Sequence, residues 1–194
     1  MKIKIGFFAV CTLLAWLWTN PLYGVAILFA ATLHELGHIF VAKWLGFSFQ
    51  ELNITPFGAL LSPGACLGSY YDEALIAAAG PFINIVSVVF VAPFCQKHSF
   101  LSYFCVSSLF LGGLNLLPVS DFDGGRILSC ILYQRLNASS VERVLQLFSF
   151  LIVFFLWAIS VYLLLRVGAS LSLFVFSASL FFKLFADAEF MPSR

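Results

Sequence analysis

No lysine, arginine, aspartate or glutamate lies between Lys4 and Glu35. The same holds between Glu73 and Lys97, between Lys97 and Asp121, between Arg143 and Arg166, and between Arg166 and Lys183. A helix needs about 20 apolar residues to cross the hydrocarbon core of a bilayer, and these gaps approach or exceed that. Charged residues make up 10% of the chain, against roughly 25% in soluble domains. Mean hydropathy is +1.03. Together these values exclude an ordinary soluble domain, a disordered chain and a nucleic-acid binder. The 24 phenylalanines exceed what one small aqueous core can hide, and a bilayer is the solvent that accepts them. A net charge of +1 implies no electrostatic partner.

The expected architecture is an all-α polytopic membrane protein, one integral membrane domain over 1–194. It has about six transmembrane helices, near 3–19, 23–45, 74–95, 100–117, 144–166 and 170–185. The first is expected to be a retained span rather than a cleaved signal, because no small-x-small site precedes Asn20-Pro21. A shorter helix over 125–136 is expected at the membrane boundary. With the N-terminus cytoplasmic, only Lys97 and Arg166 among the basic residues fall on the outer side, as the positive-inside rule asks. Both termini are then cytoplasmic. The stretch 46–71 differs: it is broken by Pro56, Gly58, Pro63, Gly64 and Gly68, and reads as a membrane-associated, β-hairpin-like segment. The five cysteines are scattered without a CxxC pair, so neither a disulfide framework nor a cysteine metal site is expected.

The second span carries His34-Glu35-Leu36-Gly37-His38. Positions i and i+4 share a helix face, so both imidazoles can reach one metal ion. Glu35 is offset toward a water held there rather than toward the metal. That is the pattern of a zinc hydrolase with two histidine ligands and a glutamate general base. Ionisable groups inside a span are costly and default to function. A third protein ligand is required. The fourth span ends on the same side, in Asn115-Leu116-Leu117-Pro118-Val119-Ser120-Asp121-Phe122-Asp123-Gly124-Gly125. Pro118 ends the helix, and Gly124-Gly125 lets the backbone turn after Asp123. Position alone leaves Asp123 as either a ligand or a helix N-cap, with Asp121 as a competing ligand.

Three blocks in this order resemble the site-2 protease family of intramembrane zinc metalloproteases. They are His34–His38, then Ala79-Gly80-Pro81 with Asn84, then the Asn-x-x-Pro stretch from Asn115 that ends in Asp123-Gly124-Gly125. The compact plan looks most like the branch of stage IV sporulation protein FB, without that branch's C-terminal regulatory domain. Ser120 and Asp121 stand where family members often carry prolines. The resemblance implies one zinc ion held by His34, His38 and Asp123, with Glu35 as catalytic base and proton shuttle. It implies that Asn115, with Pro118, binds the substrate backbone, and that Gly80, Pro81 and Asn84 lie around the ligands. The implied substrate is a segment in or near a transmembrane helix of another membrane protein, such as a tethered transcription regulator. The implied setting is the lipid bilayer of a bacterial or archaeal cell, with the site open to the cytoplasm and a regulatory membrane partner allowed.

The 46–71 segment would either pair with an unwound substrate or plug the cavity. Three rival readings stand beside the protease. One is a different metalloprotease type with Glu142 as third ligand. Another is a membrane transporter that relays ions or protons through the buried His/Glu cluster. The last is an inactive scaffold, which would have no need of Glu35.

Overall fold

Asn20 and Pro21 open the first long helix for separate reasons. The Asn20 side chain accepts a hydrogen bond from the Tyr23 amide at 3.2 Å, satisfying a donor the helix start leaves over. Pro21 has no amide hydrogen to satisfy and its φ already suits a helix. The computed structural model describes residues 2–5, 20–47, 49–55, 58–63, 69–167 and 171–189. In it, helix α1 runs Pro21–Trp44. It ends where Gly46 takes φ +84°, a left-handed conformation that glycine adopts without penalty. The Phe47 amide then reaches back to the Ala42 carbonyl and the Gly46 amide to that of Lys43, which caps the last turn.

Helix α2 covers Tyr70–Val91 and continues as a 3₁₀ turn over Ala92–Lys97. Ser69 and Asp72 close a capping box at its start. Helix α3 is Ser99–Asn115, α4 is Asp123–Tyr133, α5 is Ala138–Val167 and α6 is Leu171–Glu189. By length and composition, three helical stretches are able to cross a membrane: Pro21–Trp44, Tyr70–Lys97 and Ala138–Arg166. Ser99–Asn115 and Phe174–Leu184 are apolar but shorter.

Three strands are also described: β1 (Lys2–Ile5), β2 (Phe49–Thr55) and β3 (Gly58–Pro63). They form one sheet in the order β1-β2-β3. β1 runs parallel to β2, and β2 is antiparallel to β3, with Thr55 opposite Gly58. The pair β2–β3 falls within the 46–71 stretch read as hairpin-like; residues 56–57 between the strands lie outside the described set. The expected first span, 3–19, needs correction at its start. The Lys-Ile-Lys-Ile alternation of β1 has the two-residue period of a strand, and Lys2–Ile5 forms one. Residues 6–19 lie outside the described residues.

The helical packing is the inverse of a soluble protein's. On α1 the buried positions are Gly24, Ala26, Ala30, His34, Gly37, His38 and Ala42, all small except the histidines. The large apolar residues Phe29, Leu36, Phe40 and Trp44 are exposed. Helices in lipid gain nothing by hiding leucine or phenylalanine from each other, so small residues take the contact face. The approach is close: a Cβ on Gly37 would sit 2.7 Å from the Ala79 carbonyl oxygen of α2. α1, α2 and α3 pack against one another, α4 packs on α2, and α5 pairs with α6. The turn between α3 and α4 buries Val119 and Phe122 against Val153 of α5 and Leu180 of α6. It is also tied to α5, where the Ser149 hydroxyl accepts from the Ser120 amide at 2.9 Å.

Candidate metal centre

His34 and His38 lie one helical turn apart on the buried face of α1, 3% and 5% exposed. Asp123 is the first residue of α4 and is 8% exposed. His34 Nε2 is 3.1 Å from Asp123 Oδ2 and 3.2 Å from His38 Nε2, and His38 Nε2 is 3.4 Å from the same Oδ2. Among the described residues, these three make the group of His, Cys, Asp or Glu side chains whose ligating atoms converge on one point.

The position of Asp123 follows from the turn before it. Pro118 stops α3's register, and the chain then doubles back so tightly that a Cβ on Gly124 would overlap the Leu116 carbonyl. One on Gly125 would overlap the Val119 carbonyl. Glycine is the side chain that fits at both positions. The N-cap of α4 is Phe122, and no side chain caps that end. The Asp123 carboxylate is therefore not spent on its own helix and points at the histidines. Burial pushes its pKa up, but the two imidazoles beside it outweigh that and hold it below the usual carboxylate range. A charged carboxylate is costly to bury unless hydrogen-bond donors or a cation face it.

The histidine ring nitrogens facing away from this point set the protonation pattern. His38 Nδ1 is 2.7 Å from the Ile76 carbonyl oxygen of α2, which accepts only, so Nδ1 carries the proton. In the neutral ring, His38 Nε2 is then a bare lone pair aimed at the Asp123 oxygen. On the far side of His34, Nδ1 lies 3.3 Å from Asn84 Nδ2, and Asn84 is fully buried with its Oδ1 unpartnered among the described atoms.

The donor set fits zinc. Bonds of about 2.0–2.2 Å in tetrahedral geometry place ligand atoms about 3.3–3.6 Å apart; the observed 3.4 Å lies in that range, and 3.1 and 3.2 Å fall just short of it. A nitrogen–nitrogen–oxygen set with acceptors facing each other is what a divalent cation organises. The backbone of α2 forms the wall of the site at Gly80. A Cβ there would overlap His38 Nε2 and lie 2.8 Å from His34 Nε2.

The other sequence candidates are not among the three converging side chains. Glu35, between the two histidines in sequence, is half-buried. Pro81 is buried inside α2 beside Gly80. Asn115 donates its side-chain amide to the Leu111 carbonyl of its own helix at 3.0 Å. Pro118 lines an apolar groove with Leu117 and, from α5, Phe148 and Ile152. The competing acid Asp121 pairs with Lys183 of α6 at 2.8 Å, and Glu142 is exposed at the start of α5. Sequence reading missed two partners: the Ile76 carbonyl, which as a backbone group has no residue signature, and Lys183, which only the tertiary fold brings to Asp121.

Comparison with known proteins bears on this geometry directly. The family model of peptidase family M50 matches residues 23–99 and 92–159, which include both histidines and Asp123. The chain belongs to peptidase family M50. Its relatives include a zinc metalloprotease of Methanocaldococcus jannaschii, 31% identical over 118 residues, covering 57% of this chain and 34% of the relative. Another is the putative zinc metalloprotease Rip3 of Mycobacterium tuberculosis, 28% identical over 129 residues, covering 61% and 33%. A putative zinc metalloprotease of Chlamydia pneumoniae is 35% identical over 130 residues, covering 57% and 20%. This chain therefore spans about a third or less of the length of those relatives. The fold resembles the solved site-2 protease from Methanocaldococcus jannaschii, with a TM-score of 0.67 at 20% identity. That match covers 100% of this chain and 94% of the other.

Proposed function

We propose that this M50 chain is an intramembrane zinc metalloprotease of the site-2 type, cleaving a peptide bond in or near a transmembrane segment of another membrane protein. The observation that carries the reading is the triangle of His34 Nε2, His38 Nε2 and Asp123 Oδ2, with mutual distances of 3.1–3.4 Å in a buried site. These three side chains would hold the zinc. When bound, zinc supplies Lewis acidity to the scissile carbonyl and makes water a nucleophile near neutral pH.

The chain's own residues do the rest. Glu35 takes a proton from the attacking water and returns it to the leaving nitrogen. Asn115 and Pro118 hold the substrate backbone. A helical substrate hides its amides, so it must unwind before it reaches the ligands. β3, an edge strand of the sheet within the 46–71 stretch, would pair with the unwound strand. The whole chain acts as one membrane domain of about six spans, with the termini and the site opening toward the cytoplasm. Its compact plan resembles the branch of stage IV sporulation protein FB. A membrane-tethered transcription regulator is a fitting substrate, since cleavage near the cytoplasmic end of its span would free a soluble domain.

The test uses a detergent-purified single-span probe protein with a Gly-Pro step near the cytoplasmic end of its helix. The expected result is one cut within or beside the span, stopped by 1,10-phenanthroline and restored by zinc. A cut insensitive to chelation, or none with any of several single-span probes, overturns the reading.

Asn84 has a specific place in this proposal. Turning its amide by 180° puts Oδ1 against His34 Nδ1, where it accepts the ring proton; nitrogen and oxygen of an amide are assigned by such networks. That orientation gives the buried oxygen a partner and leaves His34 Nε2 bare, as ligation requires. Asn84→Leu, close in volume but unable to accept, is expected to weaken zinc binding about 10–100-fold in a chelator competition. Asn84→Asp, which keeps the acceptor, is expected to stay within a few-fold of wild type. Equal losses in both variants would contradict the role.

A further inference from the structure

We infer that Cys95 and Cys105 form a disulfide at the end of the helical bundle opposite the metal centre. Cys95 sits in the 3₁₀ turn after α2 and Cys105 on the second turn of α3, with sulfurs 3.1 Å apart. That is closer than the roughly 3.5–4.0 Å of ordinary apolar carbon contact, though sulfur is the larger atom. It is about 1 Å longer than a disulfide bond of about 2.05 Å. The backbone is already held for it. Ser102, one turn before Cys105 on the same face of α3, donates its hydroxyl to the Cys95 carbonyl at 2.8 Å.

The surroundings keep the pair together. Ala26, Ala30, Phe104 and Cys105 form a buried cluster, with Cys95 packed against it. Phe29 of α1 lies edge-on to Phe104, and Tyr23 edge-on to Tyr103. α1 therefore runs from the cysteine pair at its N-terminal half to His34 and His38 at its C-terminal half. The positive-inside assignment puts the cysteine end, with the Lys97 loop, on the outer side of the membrane, where disulfides form and persist.

The chemistry is thiol–disulfide exchange. Cys95 is half-buried and Cys105 is 7% exposed, so Cys95 meets the oxidant, a disulfide-bearing oxidoreductase or a small-molecule disulfide. The Cys95 sulfur attacks that disulfide and one thiolate leaves. The Cys105 sulfur then attacks the mixed disulfide and the second thiolate leaves. Two protein thiols lose two protons and two electrons, and the oxidant's disulfide is reduced to two thiols. The product fastens the 3₁₀ turn to α3, and this inference does not depend on the reaction proposed above.

The test takes full-length protein from unreduced membranes, blocks free thiols with N-ethylmaleimide, and digests it with trypsin. Cleavage after Lys97 separates the peptide of Cys95 from that of Cys105, and a second digestion with chymotrypsin, at Tyr70 and Tyr71, separates Cys95 from Cys66. The expected result is the Cys95 peptide joined to the Cys105 peptide, lost on reduction. The thermal midpoint of the oxidised protein is expected to fall by a few degrees with dithiothreitol. Cys105→Ser should be indifferent to dithiothreitol, and Cys130→Ser should behave as wild type. Maleimide on both Cys95 and Cys105, persisting after incubation with oxidised glutathione, overturns the inference. So does a bond from either residue to a different cysteine.

Discussion

Replacing Glu35 with glutamine is expected to lower hydrolysis by about 10²–10⁴-fold, the usual contribution of a positioned general base, while zinc stays bound. The two effects separate because Glu35 is not part of the His34–His38–Asp123 triangle. Glutamine keeps the shape of the side chain and its place on α1 but takes no proton from water. The measurement is a paired one, zinc per protein and the initial rate on a single-span probe. A variant that loses zinc would make Glu35 a ligand or a support for one. A variant that keeps full activity would remove it from the chemistry.

The second large effect is expected from Gly80→Ala, a change of one methyl group in the wall of the site. The added Cβ would overlap His38 Nε2 and lie 2.6 Å from His38 Cε1 and 2.8 Å from His34 Nε2. Neither ring is free to retreat. His38 is held through Nδ1 by the Ile76 carbonyl of the same helix that carries the methyl group. His34 lies against Asn84, one turn further along that helix. Either α2 moves off α1 or an imidazole leaves the ligand triangle. Zinc affinity is expected to fall at least 10–100-fold, the scale seen when ligand support is removed. The thermal midpoint without metal is expected to fall as well, because the same overlap is present in the metal-free protein. Unchanged zinc affinity in Gly80→Ala would mean that the rings do not occupy these positions in the working protein.

What was legible in the sequence was mostly local. His34 and His38 share a face because helical spacing requires it, and the charge-free gaps mark the long apolar helices because lipid tolerates few charges. Asp123 was legible through its setting, a proline-ended helix followed by two glycines, but its alternative as a cap was open until Phe122 was seen in that position. The start of the first apolar run misled, since Lys2–Ile5 flows into it without a polar break although its alternation is a strand's. The partners that orient the site were not legible. Ile76 acts through its backbone, and Asn84 meets His34 across two helices whose register no local pattern reports. Asp121 is kept from the metal group by Lys183, far away in the chain. The scattered cysteines gave no reason to expect a disulfide, and only the turn after α2 brings the Cys95 and Cys105 sulfurs together.

The central claim is that His34, His38 and Asp123 hold a catalytic zinc. It is tested most directly by the metal content of detergent-purified wild type, Glu35→Gln and Asp123→Ala, with cleavage of the single-span probe measured on the same preparations. The account expects about one zinc in wild type, zinc without activity in Glu35→Gln, and neither in Asp123→Ala. Wild-type protein that cleaves nothing and takes up no stoichiometric zinc would contradict it and leave an ion or proton relay as the working reading. Zinc retained by Asp123→Ala would place the third ligand elsewhere.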